Sequence, residues 1–88
     1  MFTPASEIIA SHLVQLRESA GLTQRQLAKK LKVAPSIVAK VEMGERRLDL
    51  HEFYQYCIAL NANPAAEAER IMVGFRKLIG RRSKLRRR

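Results

Sequence analysis

Few residues of this 88-residue chain have types and spacing that could do covalent or metal chemistry. The single cysteine, Cys57, has no partner for an intrachain disulfide and too few companions for a zinc site, which fits a reducing cytoplasm. His12 and His51 each stand without a second His or Cys nearby, so an ordinary surface or boundary position accounts for them. Ser19 and Ser36 lack a base and an orienting group, and Glu67 and Glu69 suit the dipole at a helix start. No catalytic constellation assembles, so neither an enzyme nor a bound metal or cofactor is expected. The chemistry on offer is that of cations and hydrogen-bond donors, with 17 Lys+Arg against 8 Asp+Glu and a net charge of +9.

That charge is divided unevenly. Residues 1–22 net −1, residues 23–47 net +5, residues 48–75 net −3, and the last 13 residues net +8 with no acid among them. Two basic regions thus flank an acidic one, and the body up to residue 75 nets only +1. Such asymmetry points to a polyanion, with nucleic acid ahead of a membrane surface. For the tail alone, the alternative is that it only aids solubility. No run approaches the roughly 18 apolar residues of a membrane span, and Met1 to Ala10 carry no cation ahead of an apolar stretch, so no secretory signal is expected.

The elements that must position these groups read as helices separated by short breaks. Thr3-Pro4 opens the first, with Ile9, Leu13, Leu16 and Ala20 as its inward stripe and Gly21 as its end. Thr23 and Gln26 have capping-box spacing for a second helix that turns Leu27, Ala28 and Leu31 inward and stops near Lys32. Pro35 starts a short third helix with Ile37 or Val38, and Val41, as apolar contacts, closed by Gly44. Asp49 with Glu52 opens a fourth, with Leu50, Phe53, Cys57 and Leu60 on one stripe, and Asn63-Pro64 opens a fifth that runs to about Gly80. Such a pattern predicts an all-α domain of five helices over 1–80, with 81–88 a basic, flexible tail. A core this small makes added stability from dimerisation unsurprising. The stripe Ile71, Met72, Phe75, Leu78 and Ile79 on the fifth helix serves either core packing or a face shared with a second copy. Tyr54 and Tyr56 leave room for one partly exposed ring, and Cys57 reads as a buried structural thiol.

The most informative stretch is Gly21-Leu22-Thr23-Gln24-Arg25-Gln26-Leu27-Ala28, then Leu31-Lys32-Val33, Ser36-Ile37-Val38 and Glu42-Met43-Gly44-Glu45-Arg46. Two short helices joined by a tight turn, at about 23–43, have the geometry that lays a second helix in the DNA major groove. Ala28 sits where crossing helices need close approach, and Val33 is expected to plug the core between them. Over residues 8–62 the chain resembles the Xre/Cro-type, lambda-repressor-like helix-turn-helix DNA-binding family.

The resemblance implies specific roles. Gln24, beside Thr23 and Arg25, matches a glutamine that bonds a DNA phosphate and braces the recognition helix, here about 35–43. Pro35, Ser36, Ile37, Ala39 and Lys40 match groove-facing positions, Arg17 and Glu42 match a structural ion pair, and Arg46 and Arg47 fall in a loop beside the phosphate backbone. Two departures stand out: Lys32 replaces a frequent Gly, and Ala34 replaces a Ser or Thr cap. Ser36 and Lys40 can hydrogen-bond to bases, while Ile37 and Ala39 can only meet thymine methyls. Phosphate contacts should therefore supply much of the affinity, with Arg81, Arg82, Lys84, Arg86, Arg87 and Arg88 of the tail contributing.

The function implied is that of a sequence-specific transcriptional regulator, a repressor binding double-stranded operator DNA as a homodimer, cytoplasmic and associated with the nucleoid. Two alternatives stand beside it. One is an antitoxin that neutralises a toxin protein and represses its own operon. The other is a tail-driven, non-specific nucleic-acid binder.

Overall fold

A computed structural model describes residues 3–80, with the backbone alone at 79 and 80. Its five α-helices are α1 (Pro4–Ser19), α2 (Gln24–Leu31), α3 (Pro35–Glu42), α4 (Leu50–Ala59) and α5 (Pro64–Gly80), and the described residues contain no strand. The basic tail, 81–88, lies outside the described residues.

Local chemistry sets each helix start. Thr3, Thr23 and Asp49 accept hydrogen bonds from the N–H groups of Ser6, Gln26 and Glu52, whose side chains bond back to the caps in three complete capping boxes. Asn63 Oδ1 accepts from the Ala66 N–H at 3.0 Å at the start of α5. Ala34 makes no side-chain cap bond, but Pro35 follows at the first helical position, where one orphan N–H is removed outright.

Helix ends follow one device used four times. The chain turns left-handed at Gly21, Lys32, Gly44 and Asn61, with φ of 75°, 62°, 77° and 62°. The next N–H reaches back over the turn, from Leu22 to the Arg17 carbonyl, Val33 to Ala28, Glu45 to Lys40 and Ala62 to Cys57, at 2.8–3.2 Å. Two glycines enter this conformation freely; Lys32 does so against the clash of its Cβ with the backbone.

Leu13, Leu27, Val38 and Cys57 are fully buried, joined in the core by Ala28, Val41, Tyr56 and Leu60. Val38 rather than Ile37 is therefore the core contact of α3. α2 packs closely on α3 through Ala28, α1 lies against α3 and α5, and α4 bridges α2 and α5. Gly74 permits the α1–α5 approach, since a Cβ there would meet Ile8 Cγ2 at 3.1 Å.

Three packing expectations are corrected. Ala20 is exposed, because the helix has already ended at its cap. Val33 is 40% exposed: the left-handed turn at Lys32 lays it over the outer side of α2 near Arg25 and Lys29 rather than between the helices. Leu50 is 81% exposed: at the first position of α4 it stands on the rim of a groove that Phe53 also lines, while Cys57 is fully buried.

A link that no local pattern announces joins the first helix to the fifth. His12 Nε2 lies 2.8 Å from Glu67 Oε1, tying α1 to α5 across 55 residues, and Arg70 holds the other carboxylate oxygen. Glu67 is buried, so its role exceeds that of a charge at a helix start. Burial works against its ionisation, but the bonds from His12 and Arg70 prevail and hold its carboxyl below the ordinary value.

Candidate nucleic-acid interface

The orientation of α3 is fixed by an ionic bracket. Arg17 Nε donates to Glu42 Oε2 at 2.7 Å and its Nη2 to Oε1 at 3.1 Å, while Nη1 donates to the Leu22 carbonyl at 2.7 Å. Gln24 Nε2 donates to the same Glu42 Oε1 at 2.8 Å. One carboxylate at the C-terminal end of α3 thus collects the last turn of α1 and the first residue of α2. The bidentate side chains are 13% and 5% exposed, and the Glu42 hydrogen bond, ahead of an opposing desolvation, raises the Arg17 pKa. The side-chain amide of Gln24 is committed to this brace through its nitrogen. Its oxygen has no bond among the described residues.

Beneath the bracket lies Tyr56, whose buried hydroxyl has no hydrogen-bond partner among the described residues. Burial, reinforced by the Glu42 charge, pushes its pKa up to about 12.

With α3 held, Pro35, Ser36 and Lys40 are exposed, and Ile37 and Ala39 are half-buried beside them. Thr23 and Arg25 are exposed at the start of α2, although the Thr23 hydroxyl is occupied as the cap. Arg47 is exposed in the α3–α4 loop. Arg46 is half-buried and already paired, with Nη2 3.0 Å from Glu52 Oε2 and Nη1 3.2 Å from the Arg47 carbonyl. Their hydrogen bond raises the Arg46 pKa and lowers that of Glu52. Glu52 was legible as a capping-box residue; its grip on Arg46, six residues back across a loop, was not.

On α5, Ile71 is 6% exposed and belongs to the core, so it offers nothing to a partner. Met72 is 55% exposed, Phe75 and Leu78 are half-buried, and the side chain of Ile79 lies outside the described residues, as do all six tail cations. Cys57 is fully buried, and burial pushes its thiol up to about 11. Among the described residues, no helix is long and apolar enough to cross a membrane.

A capped short helix, a tight left-handed turn and a second helix braced from behind with its polar face outward define a helix-turn-helix DNA-binding domain. The Helix-turn-helix family pattern matches residues 13–66, and the chain belongs to this family, in its XRE type, as a DNA-binding transcription regulator. It is similar to an XRE-family like protein from Pseudomonas syringae pv. tomato str. DC3000, 33% identical, with 78% of this chain and 84% of that one covered and a TM-score of 0.73. The restriction-modification controller protein C.AhdI from Aeromonas hydrophila is 29% identical over 70% of this chain and 94% of its own, with a TM-score of 0.66. The clp gene regulator ClgR from C. glutamicum is 25% identical over 77% of this chain and 88% of its own, with a TM-score of 0.70. No curated protein matches the chain in sequence.

Proposed function

We propose that this protein is a repressor that binds operator DNA as a homodimer, laying α3 in the major groove of each half-site. The observation that carries this reading is the Arg17–Glu42–Gln24 bracket, which immobilises α3 while Ser36 and Lys40 stay exposed. A recognition helix fixed before contact loses little conformational freedom on binding. Ser36 and Lys40 bond base edges, and Ile37 and Ala39 lie against thymine methyls. Thr23, Arg25 and Arg47 flank this face and meet phosphates, together with the second N–H of the Gln24 side-chain amide, whose other N–H is held by Glu42. For Arg46 to join them it must leave Glu52 or bind phosphate with its remaining donors. The domain is residues 1–80, and the tail, 81–88, adds sequence-independent affinity through its six cations. The protein acts in the cytoplasm, at the nucleoid.

Selection of bound sequences from random duplexes, with full-length protein and with residues 1–80, tests this reading. A palindromic motif enriched by both forms is expected, with half-site centres about 34 Å apart. Loss of the tail should flatten the logarithmic salt slope by up to about 5, on the scale of 0.9 per phosphate neutralised. Enrichment of no motif by either form would leave only a non-specific binder.

A further inference from the structure

Arg46 is anchored at both ends. Its backbone N–H donates to the Lys40 carbonyl of α3 at 3.2 Å, and its guanidinium meets Glu52 of α4, so this one residue links the recognition helix to α4. The tip is gripped from one direction. Nη2 lies 3.0 Å from Glu52 Oε2 and Nη1 3.5 Å from Oε1, and Nη1 also donates to the Arg47 carbonyl at 3.2 Å. These contacts occupy the end of the fork. Its side edge, formed by Nε–H and the second N–H of Nη2, makes no bond among the described residues, and 37% of the side chain is exposed. A guanidinium edge with two parallel N–H groups matches two oxygens of a phosphate.

Glu52 is itself fixed. Its Oε1 accepts from the Asp49 N–H at 2.9 Å, and its own N–H donates to Asp49 Oδ1 at 2.7 Å, closing the capping box of α4. That box needs an acceptor but not a charge. At the same place in α2 the neutral Gln26 accepts from the Thr23 N–H at 2.8 Å. The negative charge at Glu52 therefore exceeds what the cap requires, and it stands beside a face that is to meet a polyanion, where Coulomb repulsion disfavours an acid.

We propose that Glu52 is a positioning residue for DNA binding: it holds the end of the Arg46 guanidinium so that the free side edge is presented, already ordered, to a backbone phosphate beside α3. The inference rests on the operator-binding reading above, with Arg46 as one of its phosphate contacts. The gain is entropic, because a long side chain loses its rotamer freedom on folding rather than on binding. Ordering one such side chain in advance is worth about two- to tenfold in affinity. Repulsion between Glu52 and a phosphate one Debye length away, about 8 Å at 0.15 M salt, is worth less than about twofold. Ordering wins, so Glu52 aids DNA binding in spite of its sign.

Titration of the full chain onto a fluorescent selected operator duplex over a range of salt concentrations tests this. Glu52→Gln keeps the cap acceptor, so its thermal melt should stay close to that of wild type, yet it should weaken binding by about threefold or more per half-site. Its salt slope should match wild type, since Arg46 still reaches a phosphate, whereas Arg46→Ala should flatten the slope by about 0.9 per half-site. Glu45→Gln removes an exposed acid of the same loop that takes no part in holding Arg46, and it should tighten binding. In the Arg46→Ala background, Glu52→Gln should cost nothing further, which a role confined to the α4 cap would not produce. Glu52→Gln that binds as tightly as wild type, or that costs as much without Arg46 as with it, would overturn the positioning role and leave the operator reading standing. Equal weakening by Glu45→Gln would overturn it as well. Arg46→Ala with the affinity and slope of wild type would overturn both the inference and the phosphate contact of Arg46. Wild type with no preference for the operator over a scrambled duplex would overturn the operator reading and this inference with it.

Discussion

Removing the Glu42 carboxylate tests the bracket behind α3. In Glu42→Ala, Arg17 loses two hydrogen bonds, at 2.7 and 3.1 Å, and Gln24 loses one at 2.8 Å. Arg17 keeps only its bond to the Leu22 carbonyl, with 13% of its side chain exposed. Breaking one member of a buried pair costs about 3–5 kcal/mol, mostly because a charge is left buried and unpaired. The retained carbonyl and partial exposure place this case at the low end, about 3 kcal/mol. For a domain of this size that lowers the melting temperature by about 12–24 °C. Urea denaturation followed by far-ultraviolet circular dichroism measures it, and the double variant Arg17→Met/Glu42→Met should recover much of the loss, because no charge is then stranded. A cost below about 1 kcal/mol for Glu42→Ala, or a double variant as unstable as the two single losses combined, would refute this reasoning.

Three further outcomes follow from the same structure. Lys32→Gly should stabilise the protein by about 0.5–1 kcal/mol in a denaturant melt, since the left-handed strain of roughly 1–2 kcal/mol is relieved and only part is returned as glycine entropy. Tyr56→Phe should leave stability within about 0.5 kcal/mol of wild type or raise it, since the buried hydroxyl has no partner to lose among the described residues. Because the folded-state carboxyl of Glu67 is held below the ordinary 4.5, its contribution is complete above that value and is lost as pH falls through the folded pKa. Stability of wild type should therefore fall more steeply than that of Glu67→Gln between about pH 5 and pH 3, read by thermal melts across that range.

How much the sequence disclosed depended on the range of the interaction. Helix starts were legible because a cap and its partner lie three residues apart, as Thr23–Gln26 and Asp49–Glu52 do. Ends were legible at Gly21 and Gly44, where the residue type betrays the left-handed turn. The Arg17–Glu42 pairing, 25 residues apart, has no local signal and is suggested by family likeness alone; in the structure Arg17 Nε lies 2.7 Å from Glu42 Oε2. The inward face of α4 was only partly legible. Apolar residues populate most of its circumference, so Leu50 fits a row with Phe53 as well as one with Tyr54, and only packing against α2 and α5 decides. The His12–Glu67 bond had no local signal at all, since the partners lie 55 residues apart and nothing beside either one in the sequence points to the other.

The central claim is that the outer face of α3 reads base edges. Repeating the random-duplex selection with Ser36→Ala and with Lys40→Ala tests it most directly, because both side chains are exposed and neither takes part in the bracket. Each variant should relax preference at one or two symmetry-related positions of the motif while folding normally, a loss of about 1–3 kcal/mol of discrimination at a hydrogen-bonded base. A motif unchanged in every position by both variants would contradict the assignment of α3 as the recognition helix.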